Sequence, residues 1–296
     1  SESGLPPSRI LDFSANINPL GPVPSLPDVL KKAFNDILRY PDPDNVSLLN
    51  AVHRRFRWPV NRIVVGNGAS DLLHALCRSL DCRRAVLPVP SYSDYAVAAE
   101  HAGMQVILPE MEEAGGFEIS WKQIETSLRD NDLVILGNPN NPTGRMLEAK
   151  KLNAFVKRHP TVRFIIDESF LEFVQGAESI ADRLPANAVM LRSMTKFYAI
   201  PGLRLGIAVA RARLASALRG QLAPWSINCM AQHAGIASLA DRSYADKTRI
   251  VTARYRRELI AGLRNFDALK VYESDANFIL LRIITPSLNA LTLKAK

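Results

Sequence analysis

One lysine in "SMTKFYAIPGLRLG" (Ser193 to Gly206), Lys196, stands three residues after Ser193 and eight before Arg204. A lysine in a loop is ordinarily a solvated surface charge, because burying an ammonium demands special pairing. These neighbours change that reading. A hydroxyl and a guanidinium both suit a phosphate, and an ammonium desolvated beside another cation loses basicity and becomes a nucleophilic amine. Such an amine forms Schiff bases. Asp167, at the end of "RFIID", either caps a following helix or pairs with a protonated ring nitrogen and keeps that ring electron-withdrawing. In "VVGNGASDLLHAL" the glycines Gly66 and Gly68 precede an amphipathic stretch beginning near Ala69. The turn is an ordinary strand-to-helix connection, or one whose free N–H groups at Ala69 and Ser70 hold a dianion at the positive end of a helix. Tyr92 in "PSYSDY" is a core aromatic or a stacking one. "NNPTG", with Asn141, is a turn or part of a polar wall.

The elements that must position these groups are legible as apolar runs. "RIVVG", "RAVLPVP", "MQVILPE", "DLVILGNP", "RFIIDESF", "AVMLRSM" and "RLGIAVA" alternate with amphipathic segments such as "ASDLLHALCRSL" and "LEAKKLNAFVKRH". Short continuous apolar runs separated by helical patterns predict buried, mostly parallel strands with covering helices. The fold class is therefore α/β, a three-layer sandwich over residues 41–206. Residues 1–40 and 207–296 are expected to pair as a smaller α+β domain, the latter helical until "LKVYES" and "NFILLRI". In open parallel sheets ligands gather at the carboxyl ends of the strands. "NPNNPTG" follows "LVILG", "DES" follows "FII" and "SMTK" follows "VML", so the polar groups arrive where the strands run out.

Composition fits an ordinary globule: 296 residues, 47% hydrophobic, formal charge +8. The basic residues are scattered through "RRFR", "CRR", "RARLASALR" and "RYRRELIAGLR" rather than joined with aromatics in one stripe, which argues against nucleic acid. They are solvated helix faces that also attract a phosphorylated substrate. No apolar run nears the roughly 20 residues that span a bilayer, and "SESGLPPSRILDF" has no basic flank before an apolar stretch. A cytoplasmic protein with no membrane partner is expected. Cys77, Cys82 and Cys229 are odd in number and show no zinc spacing, so buried free thiols and no metal are expected.

Taken in order, Gly68-Ala69-Ser70, "PSYSDY", "NNPTG", Asp167, "SxxK" and Arg204 resemble the aspartate aminotransferase superfamily of fold-type I pyridoxal phosphate enzymes, over nearly the whole chain. The resemblance implies pyridoxal 5'-phosphate as cofactor, with Lys196 as the lysine that binds it as a Schiff base and Asp167 on its pyridine nitrogen. It implies Asn141 on the ring's phenolic oxygen and Tyr92 stacked on the ring. Gly68, Ala69, Ser70, Ser193 and Arg204 would cup the phosphate. Tyr40, in "RYPDPD", is similar to a family tyrosine that reaches the partner subunit's cofactor, so a homodimer is implied.

Two branches of the superfamily are most similar. "DFSANINPLG" (Asp12 to Gly21), "RYPDPD", "TKFYAIPGLRLG" and "APWSINCMA" (Ala223 to Ala231) resemble L-threonine-O-3-phosphate decarboxylases of cobalamin biosynthesis, and histidinol-phosphate aminotransferases are the near relatives. Three residues after the aspartate the aminotransferases commonly have a tyrosine that donates to the cofactor. Here stands Phe170, which cannot donate. Decarboxylation of threonine phosphate is thus the first reading, transamination the second, and a cofactor-binding relative without turnover the third. Asn16, Asn18 and Asn228 are candidates for binding the substrate. The relatives continue past "NFILLRI" with a late arginine that binds substrate, whereas Arg282 is the only arginine here after Arg264 and lies in the strand pattern. A shortened smaller domain is the expectation.

Overall fold

In the computed structural model, which describes residues 13–286 and 289–291, all seven apolar runs become strands of one sheet. They are β1 (Ile63–Gly66), β2 (Arg84–Val86), β3 (Gln105–Ile107), β4 (Leu133–Gly137), β5 (Arg163–Asp167), β6 (Ala188–Ser193) and β7 (Gly206–Val209). Their order across the sheet is β1-β7-β6-β5-β4-β2-β3. Neighbours are parallel except at β7, which runs antiparallel to both β1 and β6. β7 lies across the 206/207 division expected from the sequence, so the sheet retains Ile207–Val209. Asp12, which opens the "DFSANINPLG" phrase, lies outside the described residues.

The strands read as continuous apolar runs because both faces of the sheet are covered. Successive side chains alternate between two cores. Val65, Leu136, Ile166, Met190 and Ile207 point to one face, where they meet Leu48 and Val52 of α2 (Val46–Phe56), Leu152 and Phe155 of α6 (Ala149–Arg158), and Ala234 of α9 (Cys229–Ala240). Val64, Ile135, Ile165, Leu191 and Ala208 point to the other. There they meet Leu72 and Leu76 of α3 (Ala69–Ser79), Tyr95 and Ala98 of α4 (Asp94–His101), and Leu218 of α8 (Ala212–Gln221). Burying each large aliphatic side chain of these layers contributes about 1.5–3 kcal/mol.

Outside the sheet, α1 (Leu26–Ala33) and α2 both pack on α9. Small residues make that approach close: a Cβ on Gly235 would sit 2.6 Å from Leu205 Cδ2 and 2.9 Å from Leu48 Cδ1. The long α10 (Arg242–Leu263) leads to an antiparallel pair, β8 (Leu269–Val271) and β9 (Leu281–Ile283), formed by the "LKVYES" and "NFILLRI" segments. Cys77 and Cys229 are buried and Cys82 is half-buried, all as free thiols. Burial pushes the Cys77 thiol up to about 12 and that of Cys82 up to about 11. No helix among the described residues is long and apolar enough to cross a membrane.

Candidate active site

β5 delivers its last residue, Asp167, to the α3/α4 face of the sheet, where the side chain is 9% exposed. The strand ends there because the chain folds back on that carboxylate: Asp167 Oδ1 accepts from Ser169 N at 2.9 Å and from Ser169 Oγ at 2.5 Å. This is the aspartate turn in which a side chain replaces the next ladder partner. Oδ2 accepts from Tyr95 Oη at 2.8 Å. Burial lifts the Asp167 carboxyl above the usual range, opposed by the Ser169 and Tyr95 bonds and by the nearby Lys196 charge. Asp167 therefore does not act as a helix cap.

β6 runs out one strand away. Ser193 caps the single helical turn α7 (Met194–Phe197), its Oγ accepting from Thr195 N at 3.2 Å and lying 2.7 Å from Thr195 Oγ1. The turn presents Lys196 half-buried, with Nζ 3.5 Å from Thr195 Oγ1, the outer limit of a hydrogen bond. Burial and the Arg204 charge hold the Lys196 ammonium below the usual lysine range, and Asp167 opposes them. Amine, carboxylate and guanidinium thus share one cleft, which Tyr92, Asn141 and Ser70 also line.

Its anion end is built by close backbone approach. Gly68 caps α3 with φ +91°, and a Cβ there would lie 2.5 Å from Arg204 Nη2. A Cβ on Gly206 would lie 2.5 Å from the Ala69 nitrogen, so β7 can reach the start of α3 only with glycine. The first-turn N–H groups of α3, including Ala69 and Ser70, have no partner within the helix. Among the described residues the exposed Arg204 guanidinium makes no hydrogen bond or ion pair. In "NPNNPTG" the asparagines divide their work. Asn138 Oδ1 accepts from Leu147 N at 2.8 Å, and Asn140 Nδ2 donates to Pro90 O and Thr143 Oγ1, both at 3.0 Å. Asn141 is left facing the cleft.

The substrate candidates fall elsewhere. Asn18 is 3% exposed and its amide is fully engaged: the two Nδ2 hydrogens are shared among Phe197 O and Tyr244 Oη, both at 2.8 Å, and Thr248 Oγ1 at 2.9 Å, and Oδ1 accepts from Leu20 N. Its backbone N–H donates to Lys196 O at 3.1 Å. Asn18 thus holds the Lys196 turn from behind, which corrects the expectation that it binds substrate. Asn228 caps α9, accepting from Ala231 N at 2.8 Å, and does not line the cleft. Asn16 offers its carbonyl to Asn277 Nδ2 at 3.0 Å and does not line the cleft either. Tyr40 is 81% exposed and pairs with Trp225, ring centroids 4.8 Å apart, away from the cleft of its own chain. Sequence reading missed Tyr95 and Ser169. Their signals were present: Tyr95 stands three residues after Tyr92, in the first turn of α4, and a serine two residues after an aspartate is an aspartate-turn pattern.

The cleft fits pyridoxal 5'-phosphate. A free guanidinium beside unpaired helix N–H groups suits the phosphate, and a buried carboxylate suits the ring nitrogen. An amine of lowered basicity suits the aldehyde. Residues 8–295 match the family model for aminotransferase class I and II. The chain is 35% identical over 284 residues to the threonine-phosphate decarboxylase of Salmonella typhimurium, covering 94% of this chain and 78% of that protein. It is 33% identical over 287 residues to the adenosylcobalamin biosynthesis bifunctional protein CobDQ of Leptospira interrogans, covering 96% of this chain but 33% of that protein. The chain thus spans about a third of the length of that bifunctional relative. The histidinol-phosphate aminotransferase of Clostridium acetobutylicum superposes with a TM-score of 0.86 at 31% identity, covering 93% of this chain and 83% of that one. That of Sinorhizobium meliloti, in complex with pyridoxal-5'-phosphate, shares the fold with a TM-score of 0.81 at 24% identity, covering 90% of this chain and 74% of that one. From the nearly full-length family match, the chain belongs to the class I and II aminotransferase family, as a fold-type I enzyme whose cofactor is pyridoxal 5'-phosphate.

Proposed function

We propose that this chain decarboxylates L-threonine O-3-phosphate to (R)-1-aminopropan-2-yl phosphate and carbon dioxide, in cobalamin biosynthesis. The observation that carries the reading is the 35% identity to a threonine-phosphate decarboxylase across 94% of the chain. Phe170 agrees with it: the ring lines the cleft, packs edge-on to Phe278 with centroids 4.8 Å apart, and offers the cofactor no donor.

Pyridoxal 5'-phosphate supplies the electron sink that accepts the pair left at the substrate's α-carbon. The residues of this chain do the rest. Lys196 would be the amine that holds the cofactor and, once free of it, the acid or base beside the substrate's α-carbon. Asp167 would keep the ring nitrogen protonated, and Arg204, Ser193, Gly68, Ala69 and Ser70 would hold the phosphate. Tyr92 and Asn141, which line the cleft, would fix the ring. Loss of carbon dioxide leaves an electron pair at the α-carbon, and the freed Lys196 ammonium, or a water it positions, returns a proton there. If the α-hydrogen rather than the carboxylate were held in the reacting orientation, Lys196 would be the base that removes it, as transamination requires. Orientation of the substrate by its own phosphate decides between the two. The likeness to histidinol-phosphate aminotransferase keeps that reaction as the second reading.

Carbon dioxide release from threonine phosphate and keto-acid-dependent amine exchange from histidinol phosphate should be measured side by side. Decarboxylation is expected, with unphosphorylated threonine losing turnover as well as affinity. Efficient exchange with histidinol phosphate and no carbon dioxide would overturn the first reading. Bound cofactor with neither reaction would leave a relative without turnover. Borohydride reduction followed by mass spectrometry should fix the cofactor to Lys196 and to no other lysine.

A further inference from the structure

We propose that Tyr95 and Ser169 are positioning residues that fill three of the four acceptor positions on the Asp167 carboxylate, leaving one, on Oδ2, for the cofactor's ring N–H. This rests on the assignment of Asp167 to the ring nitrogen. A carboxylate offers two acceptor positions on each oxygen. Ser169 takes both on Oδ1, through its backbone N–H at 2.9 Å and its hydroxyl at 2.5 Å. Tyr95 takes one on Oδ2 at 2.8 Å. The remaining Oδ2 position belongs to a side chain that lines the cleft. The carboxylate is clamped at both oxygens and has a single direction left in which to bind.

The clamp is tied to both ends of the site. The Ser169 hydroxyl that donates to Asp167 also accepts the backbone N–H of Ser193 at 3.1 Å, so it joins the ring-nitrogen group to the phosphate-side turn. Tyr95 presents its ring edge-on to Tyr92, with centroids 5.5 Å apart, so the donor to Asp167 also supports the aromatic expected to stack on the ring. Neither residue touches the reacting atoms. Both are neutral donors, which stabilise the ionised carboxylate without competing with the ring for it as a cation would. Lys196 is the charged group that acts on Asp167 from across the cleft. With one neutral donor removed, the oxygen that shares the ring-nitrogen proton becomes more basic, and the proton moves toward it. Hydrogen bonds to charged groups carry enough free energy to shift that partition roughly tenfold or more.

The test reads the proton directly. Enzyme loaded with pyridoxal 5'-phosphate labelled with 15N in the ring should show a protonated ring nitrogen by its 15N chemical shift. Tyr95→Phe, which keeps the ring but not the phenol, should move that resonance toward the neutral-pyridine position, as should Ser169→Ala. Ser169→Thr retains the hydroxyl and should not move it. Tyr198→Phe is the control, because it deletes another buried phenol that also bonds a carboxylate, Glu172 Oε1 at 3.2 Å, away from Asp167. If Tyr95→Phe does not fold or hold cofactor, the Ser169→Ala and Ser169→Thr pair decides alone. Weaker retention of the cofactor, with an unmoved resonance for the fraction still bound to the variants, would reduce both residues to structural support. An unprotonated ring nitrogen in the wild type would instead defeat the Asp167 assignment itself, and the proposal with it.

Discussion

In the proposed reaction Lys196 owes its nucleophilicity to its surroundings, since an ordinary lysine is protonated and inert at neutral pH. Burial and the Arg204 charge both lower its basicity, and only Asp167 works against them. On the proposed assignment Arg204 would act on both ends of the cofactor, as a phosphate ligand and as the cation that lowers the basicity of the amine. Arg204→Gln should show both losses. Without the cation the folded-state pKa of Lys196 moves back up, so the fraction of neutral amine at pH 7 falls. The rate at which pyridoxal 5'-phosphate attaches to cofactor-free protein rises with pH through the Lys196 pKa, and in the variant that rise should move to higher pH. Cofactor affinity should fall roughly tenfold or more, for one charge-assisted contact to an anion. Stopped-flow absorbance across pH, with borohydride trapping at Lys196, separates the two. An unshifted pH profile would mean that burial alone sets the amine's basicity.

The elements that carry these groups depend on a second charge cluster on the opposite face of the sheet. Glu168, one residue past Asp167, is fully buried and accepts from Arg192 Nη2 at 2.6 Å, from Ser179 Oγ at 2.6 Å and from Ile180 N at 2.7 Å. Arg192, one residue before Ser193, lies over the rings of Phe56 and Trp58 at 5.0 Å from each centroid. This pair fastens the ends of β5 and β6, the two strands that present Asp167 and Ser193, to each other from behind. Arg192→Met should strand the Glu168 carboxylate and lower stability by about 3–5 kcal/mol, whereas adding Glu168→Gln should recover a good part of the loss. Denaturant unfolding of the single and double variants reads this, and equal stability of Arg192→Met and wild type would deny the pair any role. The strands were legible because doubly covered strands are continuous apolar runs, and "RFIID" or "AVMLRS" has no other good explanation. Asp167 and Lys196 were legible as polar residues at the ends of such runs. What stayed hidden depended on distant segments meeting: Asn18 looks like a free loop amide until α10 brings Tyr244 and Thr248 to it. Tyr95 looks like core until its helix is laid across β5. The antiparallel entry of β7 was hidden for the same reason, since direction leaves no mark in a buried strand's composition.

At the scale of the molecule, the stretch before and into α2 leaves an apolar surface. Leu38 is 86% exposed, Tyr40 81% and Phe34 60%, and Ile37, Val46 and Trp225 are exposed too. A monomer rarely leaves so many large apolar side chains uncovered along one segment. Together with a Tyr40 that does not reach its own cleft, this supports a homodimer in which each Tyr40 completes the partner's cofactor site, as the family resemblance implies. Such sharing makes a prediction that simple dimerisation does not. Lys196→Ala chains and Tyr40→Ala chains should each form a nearly inactive dimer. In a mixed dimer one site receives both defects, while the other takes Lys196 from the Tyr40→Ala chain and Tyr40 from the Lys196→Ala chain, and so is whole. Random exchange of equal amounts makes about half of the dimers mixed, which leaves about a quarter of all sites intact in a two-fold assembly. Activity should therefore recover to about a quarter of the wild-type value after the two variants are unfolded and refolded together, and not when they are mixed without exchange. Sedimentation should show a two-chain species throughout. Recovery no greater than the sum of the separate variants, with dimers present, would place Tyr40 outside the shared site and leave the exposed segment as interface alone.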